Sequence, residues 1–104
     1  RSYIEVKGVT LEEDGMALFP DAPTLRGTRH VHEMIRAVRE GYTGYLIFVV
    51  QMKGVRCFSP NERTDPAFTQ ALRAASRQNV HVLCYDCHVT PDSLRLSEPV
   101  PVIL

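Results

Sequence analysis

A chain of 104 residues, 44% of them hydrophobic, has the size and composition of one globular domain, and no apolar run approaches the roughly 20 residues of a membrane span. Lys plus Arg and Asp plus Glu stand at 12 each, so no overall charge announces a nucleic-acid partner. Three cysteines cannot all pair internally and the N-terminus lacks the layout of a signal peptide, which together point to reduced thiols and a cytoplasmic location.

The first ten residues, Arg1 to Thr10, are a β-rich run in which period-two alternation sends Glu5 and Lys7 to one face and Ile4 and Val6 to the other. A carboxylate and an ammonium then stand roughly 6 to 7 Å apart along one strand face. The first can hold a divalent cation, and the second can set a positive charge beside an attacking water or a phosphoryl oxygen. The same Glu-x-Lys spacing is also common as a solvated or cross-strand charge pair, and alone it does not separate the two readings. The strand begins without a polar lead-in, which suggests part of a longer protein. Gly8 is expected to carry a bulge that turns Val9 and Leu11 back to the core. Glu12 to Gly15 reads as a hairpin turn, Met16 to Phe19 as the returning strand, and Pro20 with Pro23 as its stop.

Between Thr24 and Gly41 the apolar residues Val31, Met34, Ile35 and Val38 recur at helical spacing, and Gly41 suits the C-terminal cap. Arg26, His30 and Glu33 share one flank, which by spacing alone reads as a surface ladder of charges. The apolar run Gly44 to Gln51 predicts a central strand covered on both faces, and strand, helix, strand implies a parallel crossover. Lys53 to Arg63 reads as loop, with a short extended piece at Arg56-Cys57-Phe58. Thr64 or Asp65 is placed to cap a helix that starts at Pro66 and ends at Asn79, with Phe68, Ala71, Leu72 and Ala75 facing inward. Val80 to Val89 predicts another parallel strand, Thr90-Pro91-Asp92 a turn, and Leu94 to Leu96 a short edge strand. The tail with Pro99 and Pro101 is expected to lie extended on the surface.

Charge is uneven along the chain. Residues 22 to 56 hold Arg26, Arg29, Arg36, Arg39, Lys53 and Arg56 against Glu33 and Glu40, whereas Glu5, Glu12, Glu13, Asp14 and Asp21 dominate the start. An acidic edge beside a basic middle is compatible with phosphate binding. Cys84 and Cys87 have Cys-x-x-Cys spacing but sit inside a predicted strand, where they point to opposite faces, so they read as core cysteines. No phosphate-cradling glycine loop or acyl-transfer nucleophile is evident.

Glu5-Val6-Lys7, Val9-Thr10-Leu11, Phe19-Pro20-Asp21-Ala22-Pro23-Thr24 and Arg26-Gly27-x-x-His30-x-x-Glu33 together resemble the sugar fermentation stimulation protein A family, nearly end to end. The resemblance implies an α/β fold of the restriction-endonuclease type, a mixed β-sheet flanked by two main helices. Family members join an oligonucleotide-binding barrel to this nuclease-like half, so residues 1–104 are expected to be a single nuclease-like domain from the C-terminal half. By position, Glu5 would be a metal ligand and Lys7 its catalytic partner. Val6 would offer a backbone carbonyl to the metal, and Asp21 a further carboxylate. Arg26, Arg29 and His30 would contact DNA. The family's remaining aspartate would lie upstream of Arg1, which would leave this chain alone with an incomplete metal site. The resemblance further implies binding to DNA without sequence preference, a regulatory part in sugar (maltose) metabolism and, as the alternative, Mg²⁺- or Mn²⁺-dependent cleavage of DNA. A third reading has Glu5 and Lys7 paired only with each other in a catalytically inert domain.

Overall fold

Among the described residues nine elements follow in chain order: β1 (Ser2–Val9), β2 (Leu11–Glu13), β3 (Met16–Phe19), α1 (Leu25–Arg39), β4 (Thr43–Val50), β5 (Cys57–Pro60), α2 (Pro66–Arg77), β6 (Val80–Thr90) and β7 (Ser93–Pro99). The computed structural model describes the backbone of residues 1–90 and 93–104 and the side chains of residues 1–87 and 95–104. The turn expected at Thr90-Pro91-Asp92 therefore falls on residues outside those described.

The strands form two sheets. One runs β1-β4-β6-β7, with β1, β4 and β6 parallel and β7 antiparallel to β6; the other runs β2-β3-β5, with β3 parallel to β5. Helices α1 and α2 carry the two crossovers and pack on one face of the larger sheet, as the strand, helix, strand order requires. The mixed sheet and the two helices anticipated from the sequence are present.

Three expectations are corrected. Gly8 carries no bulge: β1 keeps one register against β4 through Glu5↔Leu46, Lys7↔Phe48 and Val9↔Val50. Val9 therefore shares the face of Glu5 and Lys7 and is fully buried, while Ile4 and Val6 lie on the far side at 56% and 58% exposure. The inner face of β1 thus changes character along its length, polar at Glu5 and Lys7 and apolar where it meets the core. The hairpin of Glu12 to Gly15 does form, with positive φ at Asp14 and Gly15, but it joins β2 to β3 in the second sheet. The C-terminal tail is more than a surface strap. Phe58 donates its N–H to Pro101 O and accepts from Ile103 N–H, both at 2.8 Å, and Val100 is buried.

Strand β5 starts one residue later than the expected piece and reaches two residues further, to Pro60. It carries Phe58 into an aromatic knot: the Phe48 and Phe58 rings stack at 4.4 Å, and Phe68 and Phe19 close the group at 5.2 to 6.4 Å. Each ring comes from a different element, so this cluster joins both sheets to α2.

Helix α1 is held where its position matters. Thr24 caps it by accepting the Gly27 N–H at 2.9 Å, and Gly41, at φ +101°, ends it after the Glu40 cap. Asp65 accepts the Phe68 N–H at 3.0 Å as the cap of α2 and also the Thr24 N–H at 2.8 Å, so one buried carboxylate ties the starts of both helices. Gly44 lets α1 lie directly on β4, since a Cβ there would stand 2.7 Å from Val38 Cγ2 and 2.8 Å from Met34 Sδ.

Candidate functional site

The close seating of α1 brings its second turn against the polar half of β1. His30 is the residue before Val31 and four before Met34, both buried, so it stands on the border of the apolar stripe and leans over the strand. Lys7 Nζ lies 2.9 Å from His30 Nδ1 and 3.4 Å from Glu5 Oε1, and His30 Nδ1 lies 3.2 Å from that same oxygen. The side chains of Lys7, His30 and Glu5 are 16%, 20% and 29% exposed, a partly desolvated group still open to solvent on one side. The ring's Nδ1 thus faces both a donor, the Lys7 ammonium, and an acceptor, the Glu5 carboxylate, and its tautomer decides which of the two it bonds.

Sequence reasoning placed Glu5 and Lys7 together on one face, and so they stand. It grouped His30 with Arg26 and Arg29 as a phosphate-facing set, whereas the ring turns to the strand and leaves the two arginines exposed. The signal available was the adjacency of His30 to Val31, which marks a position at the edge of the buried stripe. Val6 lies between the pair with its side chain on the opposite face. Asp21 is exposed in the bend between β3 and α1, and among the described residues it makes no ion pair or hydrogen bond with the group.

Electrostatically the site is an acid between bases. Neither Arg26 nor Arg29 has an acidic partner among the described residues, and Arg36 is likewise exposed along α1. Arg39 is held by Gln78 Oε1 at 2.6 Å. Arg36 and Arg39 line a shallow cavity of about 300 Å³ between the helices, with His32, Ile35, Ala74 and Gln78. Two other members of the basic middle are engaged elsewhere. Arg56 donates to Asp14 O, and Lys53 pairs with Asp86 at 3.2 Å and Ser97 Oγ at 2.9 Å. The Glu98 backbone N–H, at 2.8 Å, and then the Lys53 ammonium hold the Asp86 carboxyl below its usual range against the opposing effect of burial. That cluster pins β6 to β7 beside the register shift between Tyr85 and Cys87.

The Cys-x-x-Cys pair belongs to the core. Cys84 and Cys87 are both buried and free, and burial, reinforced by the charge of Asp86, pushes the Cys84 thiol up to about 12. Cys87 donates to Val50 O at 3.2 Å. Among the described residues no three His, Cys, Asp or Glu side chains converge as a complete metal site. Within the cluster, Glu5 supplies a hard oxygen donor and His30 a nitrogen lone pair.

Residues 1–93 match the family described as the sugar fermentation stimulation protein RE domain. Among curated proteins, the chain is 51% identical over 102 residues to a sugar fermentation stimulation protein homolog of Desulfitobacterium hafniense, covering 98% of this chain and 45% of that protein. It is 51% identical to one from Alkaliphilus oremlandii, over 98% of this chain and 43% of the relative, and 46% identical to one from Clostridium novyi, over 98% and 44%. The chain thus spans less than half the length of these relatives. Among solved structures, SfsA of Pyrococcus furiosus in complex with Ca²⁺ superposes with a TM-score of 0.88 at 26% identity, over 97% of this chain and 44% of that one.

Proposed function

The chain belongs to the sugar fermentation stimulation protein family, and from that membership we propose that it binds DNA without sequence preference, through the phosphate backbone and the arginine-bearing flank of α1. The observation that carries this reading is the exposure of Arg26 and Arg29, neither with an acidic partner among the described residues, on the helix that roofs the Glu5, Lys7 and His30 group. Guanidinium groups free of acidic partners pair with phosphate oxygens in bidentate fashion, and such contacts fix position without reading bases. The whole chain has no excess charge, so attraction would be local to this face. A regulatory part in sugar (maltose) use would belong to the longer protein and rests on the family resemblance.

The test is fluorescence anisotropy on two duplexes of unrelated sequence across a salt series. Equal affinity for both and a log–log salt slope that shrinks by about 2 in the Arg26→Ala, Arg29→Ala double variant support the reading. A marked preference for one duplex, or an unchanged slope, refutes it.

The convergence of Glu5, Lys7 and His30 favours a second reading, Mg²⁺- or Mn²⁺-dependent hydrolysis of phosphodiesters. The donor set fits a divalent cation in part: Glu5 and His30 would hold it, with a backbone carbonyl such as that of Val6 as the family resemblance implies. Asp21, exposed in its bend, gains no support as a third ligand from its contacts. Such a cation would polarise a phosphoryl oxygen and lower the pKa of its water. Lys7 would stabilise charge on the phosphate, and α1 would orient the strand through Arg26 and Arg29. The Ca²⁺ bound by the Pyrococcus furiosus relative is consistent with a cation site in this family. Nicking of supercoiled plasmid with Mn²⁺ by the native longer protein, lost in Lys7→Ala, supports hydrolysis; no nicking leaves binding as the function.

A further inference from the structure

His32, Arg36 and Arg39 stand at i, i+4 and i+7 of α1, on the flank turned to α2, whereas His30 turns to β1. Every polar side chain lining the cavity between the helices carries hydrogen to donate: two guanidinium groups, an imidazole N–H and the amide of Gln78. Among the described residues no carboxylate lines it. Glu33 and Glu40, the acids of this part of the helix, border a separate depression on the other side of Arg36. Arg39 is oriented by a neutral partner. Its guanidinium donates to Gln78 Oε1 at 2.6 Å, which fixes the fork across the gap between the helices without cancelling its charge and leaves the Gln78 amide N–H₂ to donate in turn. Ile35 and Ala74 supply the apolar part of the lining. At about 300 Å³ the cavity therefore has the make-up of a small-molecule site, an apolar surface with a few convergent polar groups. Arginines in the last turn of a helix also offset its C-terminal carbonyls, but that role requires neither His32 nor Gln78 beside them.

We propose that this cavity is an anion site for a small organic phosphate, whose phosphomonoester group is gripped by Arg36 and Arg39 and whose carbon portion rests on Ile35 and Ala74. A phosphomonoester carries about two negative charges near neutral pH and several acceptor oxygens, which match two guanidinium forks with an imidazole and an amide as further donors. A backbone phosphate of DNA offers similar oxygens with less charge and a chain on both sides, so the concave setting between two helices favours the free ester. The site is separate from the DNA-binding reading of Arg26 and Arg29 and does not depend on it.

Isothermal titration calorimetry of the chain with glycerol 3-phosphate, at low ionic strength and near neutral pH, tests this. The variants are Arg36→Gln, Arg39→Gln and Gln78→Glu, with Arg63→Gln as a charge-matched control outside the cavity, each first shown to be folded by circular dichroism. Gln78→Glu keeps the size of the side chain while setting a carboxylate against Arg39. Saturable binding by the native chain, weakened roughly tenfold by each cavity variant and unchanged by Arg63→Gln, is the expected result. Binding that is equal in all variants, or that falls as much in Arg63→Gln as in Arg39→Gln, refutes the site, since the ligand then senses only overall charge. Absence of saturable binding by the native chain refutes it as well. Anisotropy with duplex DNA separates the two sources of phosphate. If glycerol 3-phosphate fails to bind while duplex affinity falls in Arg36→Gln and Arg39→Gln, these arginines serve the DNA backbone and the proposal is overturned.

Discussion

Replacing Asp65 with alanine removes the single carboxylate that anchors the start of α1 to the start of α2. Its Oδ1 accepts the Phe68 N–H at 3.0 Å and its Oδ2 accepts the Thr24 N–H at 2.8 Å. The first bond is an N-cap, whose loss costs about 1 kcal/mol. The second serves a part-buried backbone donor, which is left stranded at a further cost of about 1–2 kcal/mol. Together they predict a destabilisation of about 2–3 kcal/mol, or roughly 10–20 °C in Tm for a domain near 100 residues. Urea unfolding followed by far-UV circular dichroism measures it, with an unchanged m-value as the check on two-state behaviour. Asp65→Asn keeps one oxygen and should fall between native and alanine. The consequence runs to the site, because loosening Thr24 loosens the start of α1, whose second turn carries His30. A loss below about 1 kcal/mol for the alanine variant would show that the two helix starts hold themselves, and the argument that Asp65 anchors α1 would fail.

Further expectations follow from single contacts. Gly27→Ala should lower Tm even though alanine favours helices by up to about 1 kcal/mol, since its Cβ would meet Thr24 Cγ2 at 2.8 Å and Oγ1 at 3.0 Å. A raised Tm would show that the cap shifts without cost. Phe58→Ala should cost about 3–5 kcal/mol in urea, because the ring is fully buried where both sheets meet. Asp86 has a carboxyl held below its usual range in the folded state, so its contribution is present above the unfolded value near 4 and is lost as pH falls through the lower folded value. Stability measured across that acidic window should therefore fall less steeply in Asp86→Asn than in the native chain. Thiol labelling under native conditions should find half-buried Cys57 first, with Cys84, pushed up to about 12, protected until unfolding. Equal labelling rates would contradict its burial.

The elements that local pattern can specify were legible. Both helices were visible as 3.6-residue stripes, the first with Gly41 at its end and the second with Asp65 as one of two caps offered, and the central strand as an unbroken apolar run. Strand β5 was less so, because Cys57-Phe58-Ser59-Pro60 has little pattern of its own and is held by β3 on one side and the tail on the other. Gly8 misled for a related reason. A glycine in a strand suggests a bulge when only its own segment is considered, but eight consecutive pairings with β4 keep β1 in register through it.

The sequence by itself determined that Glu5 and Lys7 share a face, because alternation along a strand is a property of the backbone alone. It also determined the family, through motifs that run nearly the length of the chain. Which face they share, and that His30 completes the group, was decided only by tertiary structure. Those facts depend on how α1 rests on β4 across Gly44 and on which side of β1 meets the core, and both are set by packing between residues far apart in the chain.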